Sequence, residues 1–205
     1  MVTAYDSLYI CNGTDVLTKY NGVSISSFTS VDAPVMTSVA RTGGNAGTYT
    51  FSYKVTAVSE NGETMPSDAG SATIDKSTLS VTEYMTITWQ ASANAIGYNI
   101  YGRKDGSWYF MAYVEGGNTT TYIDNGTITP TEVFAPPEAN TTQGPKGKYI
   151  ASYKDTIFIY GDPSNPSRLY YSGGGDKVDD FSIGNGGGFI DISKNDGTVG
   201  TGMIQ

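Results

Sequence analysis

The side chains that most often perform catalysis are scarce in this chain. It contains no histidine and one cysteine, Cys11. The absence of histidine removes the usual general base, the Ser–His and Cys–His pairs and the commonest metal-ligating nitrogen. Cys11 ends the apolar run Leu8-Tyr9-Ile10-Cys11, where a buried, inert thiol is expected rather than a nucleophile. A single cysteine also allows no internal disulfide. Asp176, Asp179 and Asp180 form an oxygen-rich cluster of a kind that can hold calcium. Their spacing is not that of an EF-hand loop, and an exposed acidic turn is the simpler account. Asn195-Asp196-Gly197 is an ordinary turn signal. Gly173-Gly174-Gly175 and Gly184-Asn185-Gly186-Gly187-Gly188 lack the following Lys-Ser or Lys-Thr of a phosphate loop, and neither opens a helix, so they read as turns. No spacing sets two carboxylates on one cleft wall, as sugar hydrolysis requires. The expectation is a non-enzymatic protein with no catalytic, cofactor-binding or metal-binding residues and no cofactor.

The abundant chemistry is aromatic. There are 16 Tyr, 7 Phe and 2 Trp. Tyr101, Tyr109, Tyr113 and Tyr122 have two readings. Exposed, they would form a stacking platform for a glycan; otherwise they pair across strands as ordinary sheet neighbours.

Composition points to the scaffold that carries these residues. The apolar share is 38% and the charged share 16%, both below the usual globular values. Gly, Ser, Thr, Asn and Tyr fill the difference, which suits a turn-rich β protein. The aromatic content argues against disorder. A net charge of −8 with scattered basic residues argues against nucleic-acid binding, which needs clustered Lys and Arg. The acidity either lines a passage that DNA crosses without sticking or simply aids solubility. No run approaches the roughly 20 apolar residues of a membrane helix, and Met1-Val2-Thr3-Ala4-Tyr5-Asp6 is unlike a signal peptide. The chain is expected to be made in a cytoplasm and not to insert in a membrane.

Period-two alternation dominates the middle of the chain. Tyr49, Phe51, Tyr53, Val55 and Ala57 alternate with polar residues, as do Met85, Ile87 and Trp89. Trp108, Phe110, Ala112 and Val114 are expected on one face of a further strand. Asn61-Gly62 and Asp105-Gly106 are hairpin signals. No amphipathic helix is evident. The ends of the chain read differently. Leu8–Cys11 and Ile157-Phe158-Ile159-Tyr160 are continuous apolar runs, which suit strands buried on both faces. They also resemble each other: Tyr5-Asp6-Ser7-Leu8-Tyr9-Ile10 parallels Lys154-Asp155-Thr156-Ile157-Phe158-Ile159. Each leads through a glycine to a second short strand, Leu17-Thr18-Lys19-Tyr20 or Arg168-Leu169-Tyr170-Tyr171. Repeated hairpins of this kind mark propeller blades. Pro-rich shifts near Val31-Asp32-Ala33-Pro34 and Ala135-Pro136-Pro137-Glu138 suggest boundaries. The predicted organisation is a propeller-like segment at 1–31, an inserted β-sandwich at 32–140 and a second propeller-like segment at 141–205.

The insert resembles a fibronectin type III-like or related immunoglobulin-like domain. The resemblance rests on Ile87-Thr88-Trp89, on Gly97-Tyr98-Asn99-Ile100-Tyr101, and on the hairpin Tyr53-Lys54-Val55-Thr56-Ala57-Val58-Ser59-Glu60-Asn61-Gly62-Glu63-Thr64-Met65-Pro66-Ser67. In that family the Trp strand comes first and the hairpin last. Here the hairpin precedes Trp89, which implies a permuted strand order. Opening the chain there would bring the sandwich termini together, as insertion into a host loop requires.

The flanks resemble propeller segments of tailed-bacteriophage neck and tail proteins of the nozzle (tail tubular protein B) kind. The matching residues are Tyr5–Gly13, Ala151–Pro163, Arg168–Ser172 and Ile190–Gly202. The resemblance implies a virion structural role in the tail or neck, with other copies of the chain in a ring, neighbouring tail or portal-adaptor proteins as partners, and DNA passing without specific binding. The sandwich would project from this wall. The alternative is an adhesion module whose sandwich recognises a cell-surface glycan or protein. A blade takes roughly 40–45 residues and a closed ring needs at least four. The flanks supply about two, so the remaining strands are expected from a longer chain or from neighbouring subunits.

Overall fold

The computed structural model describes residues 1–104, 107–131, 133–192 and 202–203. Among them every regular element is a β-strand except two single 3-10 turns, Gly175–Lys177 and Ile183–Asn185. The protein is therefore all-β. The signals at Asp105-Gly106 and Asn195-Asp196-Gly197 lie outside the described residues.

The first 27 residues form a four-stranded antiparallel meander: β1 (Val2–Ala4), β2 (Ser7–Ile10), β3 (Thr18–Tyr20) and β4 (Ile25–Ser27). Tyr5 and Asp6 join β1 to β2 with φ of 44° and 58°. Two left-handed central residues define the type I′ hairpin, whose twist matches that of the strands it joins. Asn side chains shape the next two connections. Asn12 Oδ1 accepts the backbone N–H groups of Thr14 and Asp15, and Asn21 Oδ1 those of Val23 and Ser24. Such local bonds give the backbone a turn in place of a longer strand.

The middle of the chain supplies β5 (Met36–Thr42), β6 (Tyr49–Ser59), β7 (Gly62–Glu63), β8 (Gly70–Ile74), β9 (Tyr84–Trp89), β10 (Gly97–Lys104), β11 (Ser107–Glu115) and β12 (Thr121–Asp124). One antiparallel sheet runs β12-β9-β5. The other runs β11-β10-β6, with β7 and β8 both on β6. Phe51, Tyr53, Val55 and Ala57 point inward from β6 to meet Met85, Ile87 and Trp89 of β9. The alternation expected of both strands is the one observed. Burying each large side chain contributes about 1.5–3 kcal/mol. Trp89 packs at a tilt on Tyr98, with ring centroids 5.2 Å apart.

Strand β11 departs from the expectation. Ile100 faces Ala112 while Tyr101 faces Phe110, so Met111 is an extra residue in the ladder. This bulge reverses the alternation. Met111, Ala112 and Val114 join the sandwich core, whereas Phe110 lies edge-on to Tyr101 and Trp108 lies under the Lys54 ammonium. The four apolar residues therefore do not share one face.

A second four-stranded antiparallel meander follows: β13 (Tyr149–Tyr153), β14 (Thr156–Tyr160), β15 (Arg168–Tyr171) and β16 (Gly188–Asp191). Its first turn, Lys154 and Asp155 with φ of 48° and 55°, repeats the type I′ hairpin of the first meander.

By contacts the chain divides into two units. One comprises residues 1–30, 60–62 and 140–205; the other comprises 31–59 and 63–139. The first unit draws its core from both ends of the chain. Ala4, Tyr9, Leu17 and Phe28 meet Ile157, Ile159, Val178 and Phe181. The Ser152 hydroxyl donates to the Thr3 carbonyl oxygen at 3.1 Å, and the Gly13 N–H to the Gly147 carbonyl oxygen at 3.0 Å.

Candidate interaction surface

Register decides which face each side chain occupies, because directly paired residues lie on the same side of a sheet. In the first meander Val2 pairs with Tyr9, Tyr9 with Lys19, and Ala4 with Ser7. That face carries Ala4 and Tyr9 into the core. The opposite face carries Leu8, paired with Tyr20, and Tyr20, paired with Ile25. Tyr20 and Ile10 are each 37% exposed and Ile25 is 72% exposed. An apolar band thus crosses three strands and is partly exposed among the described residues.

In the second meander the roles of the faces are exchanged. Ile157 and Ile159 are buried, with Ile150 and Tyr170 packed beside them. The other face carries Phe158 paired with Ala151 and Tyr171, and Tyr160 paired with Tyr149. These side chains are half-buried, and Tyr153 and Ile190 are exposed. The continuous apolar runs at 8–11 and 157–160 were expected to be covered on both faces. Each is covered on one. The reason is geometric: among the described residues each sheet packs against one other sheet, and period two sends half of a continuous run to the far side.

Polar groups lock the first unit. Lys19 Nζ lies 2.7 Å from Asp179 Oδ2, a pair 160 positions apart in sequence. Burial works against the Lys19 charge, but the Asp179 carboxylate outweighs it and raises the ammonium pKa. Tyr9 Oη is buried beside Lys19 and Ser7 without a well-formed hydrogen bond, and burial raises its pKa. Asp162 accepts the Tyr170 hydroxyl at 2.7 Å and the Ser164 N–H at 2.9 Å. Burial opposes its charge, yet these donors hold its pKa below the ordinary value. Arg168 pairs with Asp191 at 2.8 Å and covers the Phe189 ring.

The sandwich has its own network, with no spacing signal in the sequence. Asp124, almost fully buried, accepts Tyr53 Oη at 2.8 Å and Arg103 Nε at 2.8 Å, and pairs with the Arg103 Nη2 as well. Arg103 has a left-handed backbone, φ 83°. Beside it, a Cβ on Gly102 would come within 2.3 Å of the Ser52 carbonyl oxygen, so that position tolerates only glycine. Burial, then Asp124, pushes the Tyr53 phenol far above its usual pKa. Glu63 Oε1 accepts Thr56 Oγ1 at 2.5 Å and Tyr101 Oη at 2.6 Å. Burial and the Glu63 carboxylate raise Tyr101 likewise.

These contacts decide between the two readings of the tyrosines. Tyr101 is 3% exposed and Tyr122 packs against the sandwich core. Tyr113 is exposed and Tyr109 half-buried. The four do not form one stacking platform. The acidic cluster disperses too. Asp179 pairs with Lys19, and buried Asp180 accepts the Ser182 N–H and the Asn185 amide. Among the described residues no three potential metal ligands gather. Cys11 is half-buried and its thiol pKa is raised by burial. Of the glycine runs, Gly187 shows the reason for its residue type: a Cβ there would lie 2.6 Å from the Phe181 carbonyl carbon. No helix among the described residues is long and apolar enough to cross a membrane.

Among the described residues the arrangement offers two partly open apolar sheet faces. Comparison with protein-family models, curated proteins and solved structures yields no match, so the geometry of these faces is what a functional reading rests on.

Proposed function

We propose that the protein is a non-enzymatic structural subunit of a tailed-phage neck or tail, forming part of the wall of a DNA-passage channel. The observation that carries this reading is the matched pair of four-stranded meanders at the two ends of the chain. They share a type I′ hairpin at the same place and pack to form one core. Four-stranded antiparallel sheets stacked face on face are the unit of a propeller-like wall, and the two meanders are read as two successive blades. The sandwich has seven strands besides short β7, with Trp89 buried on the middle strand of its three-stranded sheet. That is the strand complement of a fibronectin type III-like domain. Its hairpin strand β6 precedes the Trp strand β9, in keeping with a permuted order. Apolar faces left open on a sheet pair suit a subunit that meets copies of itself more than a soluble enzyme.

The test is labelling of native particles with gold-conjugated antibody raised against the chain. Label at the neck or tail tip is expected. Particles that carry no label, or label on the capsid, contradict the reading.

A further inference from the structure

We infer that the protein associates head to tail with a second copy of itself, the Phe158 face of one copy packing on the Leu8–Ile10 face of the next. This rests on reading the two meanders as successive members of one repeat. The type I′ hairpins align them residue for residue. Tyr5-Asp6 corresponds to Lys154-Asp155, so Leu8, Tyr9 and Ile10 correspond to Ile157, Phe158 and Ile159.

Within the chain, Tyr9 of the first meander shares a core with Ile157 and Ile159 of the second. The two sheets therefore contribute opposite faces to the contact: a front carrying the aromatic and a back carrying two aliphatics. Among the described residues, one front and one back remain at least partly open. The open front places Phe158 where the buried front has Tyr9. The open back places Leu8 and Ile10 where the buried back has Ile157 and Ile159. The pieces of the internal contact thus recur on the two open faces, aromatic on one and aliphatic pair on the other. A second copy satisfies both by repeating the contact already present. Pairing either face with itself would set aromatic on aromatic or aliphatic pair on aliphatic pair, and would not reproduce it. A contact between unlike faces propagates, closing into a ring or running on as a filament.

The experiment is sedimentation velocity on the wild-type chain, on Phe158→Glu, on Ile10→Glu and on an equimolar mixture of the two variants. Circular dichroism melts check that each variant folds. The wild type is expected to sediment as a multimer. Each variant alone should lose the large species, since a carboxylate on either face blocks it. The mixture should form a one-to-one dimer, because it retains one intact front and one intact back. A monomeric wild type from low to high micromolar concentration overturns both this interface and the self-assembling wall. Variants that still assemble like wild type overturn the interface and leave self-assembly standing. Folded variants that stay monomeric when mixed overturn the head-to-tail arrangement.

Discussion

The sandwich and the paired meanders solve the same problem in different ways. Each β-sheet made from this sequence has an apolar face to hide. In the sandwich, two sheets hide each other's inner faces, and the outer side of β9 shows Thr86 and Thr88. In the meander pair, the outer sides show Phe158, Tyr160 and Tyr171 on one sheet and Leu8 and Ile10 on the other. The sandwich is complete with two layers. The meander pair shares one core and keeps apolar side chains on both outer sides, which is why we read it as two layers of a stack. Alternating sequence makes the first and continuous apolar sequence the second, so the difference traces directly to residue order.

The two regions can be perturbed separately. Both tryptophans, Trp89 and Trp108, lie in the sandwich, so their fluorescence reports that region. The largest effect is expected from Asp124→Ala, which strands the partly buried Arg103 charge and the Tyr53 hydroxyl. Loss of about 3–5 kcal/mol should appear as a lower urea midpoint by tryptophan fluorescence. Next comes Ile159→Ala in the meander core, expected to cost about 2–5 kcal/mol. It should lower the midpoint followed by far-ultraviolet circular dichroism and increase protease cutting within 149–171, with a smaller change in tryptophan signal.

A pH series follows. Tyr53, Tyr101 and Tyr170 have pKa values raised above the ordinary phenol, chiefly by burial. The unfolded chain loses those protons near pH 10 while the folded chain keeps them. Their contribution is thus full below about pH 10 and is lost as pH rises beyond it. Asp162 has the opposite sign: its depressed pKa stabilises above the ordinary carboxylate range and is lost as pH falls through the folded value. With no histidine, the urea midpoint should be nearly flat from about pH 6 to 8. The smallest effect is expected from Tyr9→Phe. Its hydroxyl makes no well-formed hydrogen bond among the described residues, and the corresponding residue of the second meander is already Phe158. The change in unfolding midpoint should be neutral or stabilising, by up to about 1 kcal/mol.

What could be read before folding follows the same physics. Strands β6 and β9 were legible because alternation is a one-dimensional signal. The likeness of residues 5–10 to 154–159 was legible because a two-residue I′ hairpin constrains its turn and its flanks together. The β11 bulge was not, since an extra residue at Met111 leaves composition and apparent period unchanged. Nor was the Tyr53–Asp124–Arg103 network, whose members lie 71 and 21 positions apart and are united only by sheet pairing. The open faces were half legible. The apolar runs announced two faces needing cover, but nothing in a run says how many layers are present to cover it.

As two layers of a stack, the meander pair would be continued by its neighbours on both outer sides. An electron cryomicroscopy reconstruction of the native assembly tests it most directly. Phe158 of one subunit is expected against Leu8 and Ile10 of the next, in the relation Tyr9 bears to Ile157 and Ile159 within one chain. An assembly with both faces open to solvent, or each packed on its own kind, would contradict it.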